Sequence, residues 1–181
     1  MTQNNTYRDY FKHQAANHPD LLHVDGTKEV FRVIGIDEAM GDFRVNVSEK
    51  DYIMRLINYT YSVGDMGVHE VQKQFTGGFI IAKYYGKRKD GEANRFAAME
   101  ATEKVADEII EKMIHDSRNG HPLFYYSLNS RQSINVQLIE LTMQSYIGWL
   151  CTFQFSNYFR DCTTHADAPA WVDGGTTPFE L

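Results

Sequence analysis

The chain has 181 residues, 43% of them hydrophobic, and a formal net charge of −6 at pH 7. That length fits one domain, and that hydrophobic fraction is enough to build a packed core. The acidic charge argues against broad phosphate neutralisation as the main source of affinity for a partner, so a nucleic-acid binder of this composition would need a local basic patch. No run of about 18 apolar residues is present, and the start, MTQNNTYRDYF, lacks the parts of a secretory signal. We therefore expect a soluble, cytosolic protein.

The first third of the chain predicts a short helix followed by short strands. Residues 7 to 17 place tyrosine, phenylalanine and alanine side chains at helical spacing, and Pro19 ends that pattern. Asp-Gly and Gly-Asp dipeptides, typical of turns, then flank apolar runs at 31 to 36 and 43 to 47.

Two longer strands are predicted next. The segment DYIMRLINYTYSVG is rich in β-branched and aromatic residues, which favours a strand. One face of its alternation would carry Ile53, Arg55, Ile57, Tyr59 and Tyr61. The segment FTGGFIIAKYYG is apolar on both alternating faces, which is typical of a strand buried on both sides.

The clearest helix prediction covers about residues 95 to 117. Asn94 is the expected N-cap, and Gly120 followed by Pro122 ends the segment. One stripe along the helix is formed by Ala98, Thr102, Val105, Ile109 and Met113. Because the apolar residues share this face, the helix is expected to lie on a sheet.

Three strand-like pieces follow the helix, in LFYYSLNS, SINVQLIELT and SYIGWLCTFQFSNYF. The last one alternates strongly, and its predicted buried face carries Trp149, Cys151, Phe153 and Phe155. The opposite face carries Thr152, Gln154 and Ser156, which are polar and uncharged.

The order of these elements predicts an α+β fold. A largely antiparallel or mixed sheet would be covered by the long helix and the short N-terminal helix. Residues 1 to 162 would form a single domain. Residues 163 to 181 would form an irregular C-terminal tail that docks on a neighbouring subunit through its isolated aromatic residues.

Histidine spacing does not predict a metal site. His13, His18 and His23 recur every five residues, which is a poor spacing for one helical face, and Pro19 interrupts the segment. No cluster of cysteine or histidine elsewhere completes a ligand set. The sequence therefore predicts neither a metal nor another cofactor.

Cysteine residues do not form a recognisable catalytic motif either. Cys151 with His69, or Cys162 with His165, would need a proximity that spacing cannot establish. Cys151 also lies on an aromatic face, which would raise the pKa of its thiol. We expect no catalytic residue, and a small α+β enzyme or ligand-binding domain stays the alternative.

A basic loop and a high aromatic content favour an interaction protein. The loop is a solvated turn in its simplest interpretation, and in the functional one it contacts an acidic patch of a neighbouring subunit or nucleic acid. The chain has 11 tyrosines, 11 phenylalanines and 2 tryptophans, more than we expect one small core to hold. The candidate interface residues are Lys87, Arg88, Lys89, Arg95, Tyr158, Phe159, Trp171 and Phe179.

A family resemblance rests on four segments of the second half. The strand GGFIIAKYY, the helix RFAAMEATEKVADEIIEKMIHD, the strand INVQLIELT and the strand GWLCTFQFS followed by a cysteine resemble tail-completion or tail-terminator proteins of tailed bacteriophages and related contractile injection systems. The Gly148-Trp149 pair is similar to the late strand of such proteins in phages and prophages of Bacteroidetes-type hosts. The resemblance covers roughly residues 75 to 162 and rests on element order and pattern.

This resemblance implies a structural role in a virion. Copies would form a closed ring, commonly sixfold, at the head-proximal end of the tail tube, between the tube and the neck or connector proteins. DNA would only pass through the channel, and assembly would take place in the bacterial host cytoplasm without a membrane. Residues 1 to 74 lie outside the resemblance, which leaves another neck, connector, sheath or baseplate role open.

Overall fold

Two helices and five strands make up the described part of the computed structural model. It describes residues 3–35, 52–65, 71–86, 91–124, 127–128, 134–141 and 145–158. The helices are α1 (Gln3–Asn17) and α2 (Gly91–Arg118). The strands are β1 (Phe31–Ile34), β2 (Tyr52–Asp65), β3 (Val71–Tyr84), β4 (Ile134–Leu141) and β5 (Tyr146–Tyr158).

The strands form one mixed sheet in the order β1-β2-β3-β5-β4. β1 runs parallel to β2, and the other neighbours are antiparallel. The predicted α+β class is therefore confirmed, with a sheet that is largely antiparallel. β3 lies at the centre and is buried on both faces, as its continuous apolar pattern predicts.

One face of the sheet packs against both helices and forms the larger core. α2 packs mainly on β3 and β5, whereas α1 lies nearer β1 and β2. The stripe predicted along α2 is buried throughout, which confirms that this helix lies on the sheet. On the opposite face, a smaller apolar cluster contains Ile53, Ile57, Ile80 and Ala82.

The predicted start of the long helix is wrong by one turn. α2 begins at Gly91, so Asn94 lies inside the helix and is not its N-cap. Glu92 in the first turn complements the positive end of the helix dipole. Arg95 ties this turn to β4 through Glu140, and such a tertiary contact cannot be seen in the local pattern.

The predicted alternation along β2 breaks at a β-bulge. Ile57 pairs with Gly78, but Thr60 pairs with Thr76, so β2 advances three residues while β3 advances two. The extra residue reverses which face the later side chains occupy. Tyr59 and Tyr61 therefore lie on the helix-covered face, opposite to Ile53, Arg55 and Ile57, and the prediction that all five share a face is wrong.

Tyr7 of α1 closes this bulge from across the core. Its buried hydroxyl donates to the Ile57 carbonyl at 3.0 Å and accepts from the Gly78 N–H at 3.2 Å. Gly77 leaves room for the ring, because a Cβ at that position would lie 2.6 Å from the Tyr7 hydroxyl oxygen. Burial raises the pKa of the phenol, so the hydroxyl stays protonated and can donate. The Gly77-Gly78 pair therefore positions α1 on the sheet.

Tyr7→Phe is expected to lower the free energy of unfolding by about 1 to 3 kcal/mol, because the variant removes the hydroxyl partner of a buried N–H and a buried carbonyl. Urea denaturation of the variant and the wild type measures this loss. Tyr61→Phe is the matched control, because Tyr61 is 60% exposed, and it should change stability by less than about 0.5 kcal/mol. An equal midpoint for the two variants would contradict the role of Tyr7.

The described part of LFYYSLNS is a buried turn, so the strand predicted there is wrong. Leu123 and Phe124 lie in the turn with fully buried side chains. The Phe124 N–H donates to the His121 carbonyl at 3.0 Å, and the Leu128 N–H donates to Ser117 Oγ at 2.9 Å. A buried turn and a buried strand both require apolar residues, so composition alone could not separate them.

Candidate subunit-contact surface

Most predicted interface residues lie outside the described residues. This applies to Lys87, Arg88, Lys89, Phe159, Trp171 and Phe179, and to the predicted tail at 163 to 181. Tyr158 is the last residue of β5, where its backbone pairs with Gln72, and its side chain is also outside the described part. Arg95 is the candidate whose side chain the structure places.

Arg95 makes a two-pronged ion pair within its own chain. Its Nε and Nη2 atoms donate to the two carboxylate oxygens of Glu140 at 3.0 and 2.7 Å. Tyr85 donates a further hydrogen bond to Glu140 at 3.2 Å. The hydrogen bond from Arg95 is the main reason why the pKa of Glu140 lies below its usual value. The pair anchors α2 on β4, and contact between Arg95 and a neighbouring subunit stays a prediction.

β4 presents apolar side chains that α2 does not cover. β4 is the outer strand next to β5, and α2 packs mainly on β3 and β5. Val136 and Leu138 point to the same face as their β5 partners Cys151 and Trp149, yet they remain 42% and 39% exposed. Phe96, next to Arg95 on α2, is 44% exposed. We call these three side chains and the outer backbone edge of β4 the edge surface.

The edge surface has few of the features that protect outer strands from association. β4, INVQLIEL, contains no lysine or proline, and its one charged residue, Glu140, is paired with Arg95. Among the described residues no strand pairs with its outer side. A strand edge of this kind can accept another strand through backbone hydrogen bonds, while Val136 and Leu138 supply apolar area.

A second exposed surface lies at the far end of β2. Tyr61 and Val63 are 60% and 58% exposed, and the Lys73 ammonium lies 5.1 Å from the Tyr61 ring centre. β1 pairs with β2 only from Met54 to Ile57, so within the described residues the outer side of β2 beyond that point has no strand partner. We call this end of β2 the hairpin surface.

The aromatic residues whose side chains the structure describes lie mainly in the core, and an aromatic interface formed by the other residues stays a prediction. Ten aromatic residues of the described part are buried: Tyr7, Tyr10, Phe11, Phe31, Phe75, Phe79, Phe124, Tyr146, Phe153 and Phe155. Many of their rings contact one another directly, with centres 5.0 to 6.4 Å apart. Exposed apolar residues that the sequence did not mark as contact residues include Val136, Leu138 and Tyr61, and the sequence signal at these positions was strand alternation.

The polar residues that the structure describes provide little evidence for chemistry, and His69, Cys162 and His165 lie outside them. Cys151 is fully buried, and burial together with the charge of Asp107 raises the pKa of its thiol to about 12, so the thiol is protonated at neutral pH. A groove of about 440 Å³ on the other face of β5 is lined by neutral side chains, including Gln74, Asn135 and Gln154. The structure brings no three metal-ligating residues together within its described part.

No family model matches this sequence, and a search of curated proteins also found no match. In the described part of the chain, neither helix has both the length and the apolar character needed to cross a membrane.

Proposed function

We propose that this chain is a structural subunit that assembles with copies of itself into a ring, of the tail-terminator or tail-completion type that its sequence resembles. The observation that carries the proposal is the edge surface, where Val136 and Leu138 lie exposed on an outer strand. Exposed apolar residues on such a strand are better explained by contact with another copy than by solvent.

A ring requires two different contact surfaces on each subunit. Pairing of β4 with β4 of another copy would use one surface twice and would stop at a dimer. The hairpin surface is a second strand edge with exposed Tyr61 and Val63. In the proposed ring, β4 of one copy therefore packs beside the far end of β2 in the next copy.

The proposed location is the junction between the tail tube and the neck of a virion, after assembly in the bacterial cytoplasm. The tail tube would lie on one side of the ring, and neck or connector proteins on the other. A net charge of −6 suits a channel through which DNA passes without adhering. A different neck, connector or baseplate position would use the same subunit contact and differ in the partner that the ring binds.

The subunit contact is tested by changing Val136 and Leu138 together to lysine. The double variant is expected to associate at least about 30-fold more weakly, because buried apolar contacts at the centre of an interface contribute about 2 kcal/mol or more. Native mass spectrometry and sedimentation over a concentration series measure the assembly, and circular dichroism checks that the subunit is folded.

The matched control changes two exposed residues outside both surfaces, Ala16 and Thr27, to lysine, so that the added charge is the same. This control should keep the wild-type mass. A wild-type protein that stays monomeric at the highest concentration, or a Val136/Leu138 variant that keeps its oligomer, would overturn the contact. If the oligomers form but do not bind the ends of purified tail tubes in electron micrographs, the terminator role is wrong and the subunit contact still stands.

A further inference from the structure

Arg55 on β2 is a buried arginine with few hydrogen-bond partners. Arg55 is 3% exposed, and its Nη1 atom donates to the carbonyl oxygens of Val30 at 2.9 Å and Met54 at 3.3 Å. A guanidinium carries five N–H donors. Within the described residues, no carboxylate lies within ion-pair distance of it, and Nε and Nη2 have no hydrogen-bond acceptor.

This side chain lines a cavity of about 400 Å³ beside β1. The other described residues that line it are His23, Asp25, Glu29, Phe31 and Arg32. Arg32 is the register partner of Arg55 across the parallel β1–β2 pair, so the two guanidinium groups belong to neighbouring positions. Burial and, as the second cause, the positive charge of Arg32 lower the pKa of Arg55 to about 10, so the Arg55 guanidinium stays charged at neutral pH.

The acidic groups that the structure describes in this cavity form no ion pair with either arginine. Asp25 accepts from Lys12 and lies 3.0 Å from the His23 imidazole. The His23 ring also forms hydrogen bonds with the backbone of Lys28 and Phe31, so it stabilises the segment between α1 and β1. Glu29 makes no ion pair with any described residue. Among the described lining residues, two arginines are therefore accompanied by one carboxylate, that of Glu29, which is not already paired.

A buried cation without a counter-charge is strongly unfavourable, because the protein interior solvates a charge much less well than water does. A planar guanidinium with free N–H groups is also the best protein partner for a carboxylate or phosphate, which it can bind through two hydrogen bonds. The cavity volume lies within the range of small-molecule sites. We propose that the Arg55 cavity binds a small molecule through one oxyanion group, held between Arg55 and Arg32.

The site is tested on the full chain by thermal denaturation in a concentration series of inorganic phosphate and, separately, of acetate. Ionic strength is kept constant with sodium chloride. At about 100 times the dissociation constant, the anion that fits should raise the melting temperature by about 5 to 10 °C. A response to phosphate alone identifies a phosphate site, and a response to acetate alone identifies a carboxylate site. No response to either anion would overturn the proposal.

Three variants separate this site from general anion binding. Arg55→Met should abolish the response, and Arg32→Gln should weaken binding about tenfold or more, as loss of a charged hydrogen bond implies. Arg8→Met is the control, because Arg8 is exposed on α1 and pairs with its neighbour Asp9, and it should keep the full response.

If Arg55→Met does not fold, the response of Arg32→Gln decides whether the anion binds in this cavity, since Arg32 is exposed and its replacement leaves the core unchanged. Equal responses in Arg32→Gln, Arg8→Met and wild type would show that the anion acts on the general surface, and would overturn the site. Isothermal titration calorimetry then gives the affinities directly. None of these measurements depends on oligomer mass, so they test the cavity separately from the proposed ring.

Discussion

Gly148→Ala is expected to lower the free energy of unfolding by about 3 kcal/mol. Gly148 lies in β5 between Ala82 of β3 and Ile139 of β4. A Cβ at position 148 would lie 1.9 Å from the Ile81 carbonyl oxygen and 2.5 Å from the Ala82 Cα. Both are backbone atoms of the central strand, so they cannot swing aside as the end of a side chain could. β5 would have to separate from β3 along part of their shared ladder.

Gly35→Ala is the matched control for this substitution. Among the described residues, no heavy atom lies within 4 Å of a Cβ at position 35, so the same added methyl group should change stability by less than about 0.5 kcal/mol. Urea denaturation followed by circular dichroism measures both variants. If Gly148→Ala unfolds at the same urea concentration as Gly35→Ala, then β3 and β5 do not approach as closely as described.

Gly148 and Trp149 have structural roles that the sequence pattern does not reveal. In the sequence it is a feature of the last strand and part of a family resemblance. In the structure Gly148 permits the close approach of β3, and the Trp149 indole N–H donates to the Met99 carbonyl of α2 at 3.2 Å. Both reasons depend on elements that lie far away along the chain, so no local pattern contains them.

The long segments with regularly spaced apolar residues were predictable, because this spacing indicates which face of a helix or strand is buried. The α2 stripe and the alternation of β5 both follow from this rule, and residues such as Val105, Ile109 and Phe153 are buried as predicted. Their side chains face one continuous core over many turns or residues. An exception at a single position therefore does not change whether the segment is predicted to be a helix or a strand.

The bulge in β2 was not predictable, because a single hydroxyl group from another element supports it. Tyr7 lies 50 residues before Ile57 in the sequence. Without knowledge of that contact, an unbroken alternation is the simplest interpretation of β2. The same limit applies to Arg55, whose place in the alternation indicates a face but not burial beside β1.

The edge surface was also beyond sequence reasoning, although β4 itself was predicted. Val136 and Leu138 alternate as they would in a fully covered strand. Their exposure results from the strand order, in which β5 lies between β3 and β4 and takes the contact with α2. Strand order is set by pairing between distant segments, so the contact residues predicted from charge and aromatic content did not include these positions.

Phe153→Ala is expected to destabilise the protein by about 3 to 5 kcal/mol, which is the usual range for removing a large ring from a core. Phe153 is 1% exposed in β5. Its ring contacts Tyr7 and Phe11 of α1, Phe79 of β3, Phe124 of the turn after α2, and Phe155 of its own strand. The residue therefore joins both helical segments to the centre of the sheet, and a cavity at its position would loosen several elements together.

Phe96→Ala provides the comparison for Phe153→Ala, because it removes the same ring from a residue that is 44% exposed. Denaturation at low protein concentration should show a loss of less than about 1 kcal/mol for Phe96→Ala. Phe153→Leu should lie between the two, since leucine keeps part of the buried area and loses the aromatic contacts, which contribute about 0.5 to 1.5 kcal/mol per pair. If Phe153→Ala lost no more stability than Phe96→Ala, the ring cluster would not be what attaches α1 to the sheet, and that attachment would depend mainly on the Tyr7 hydroxyl at the bulge.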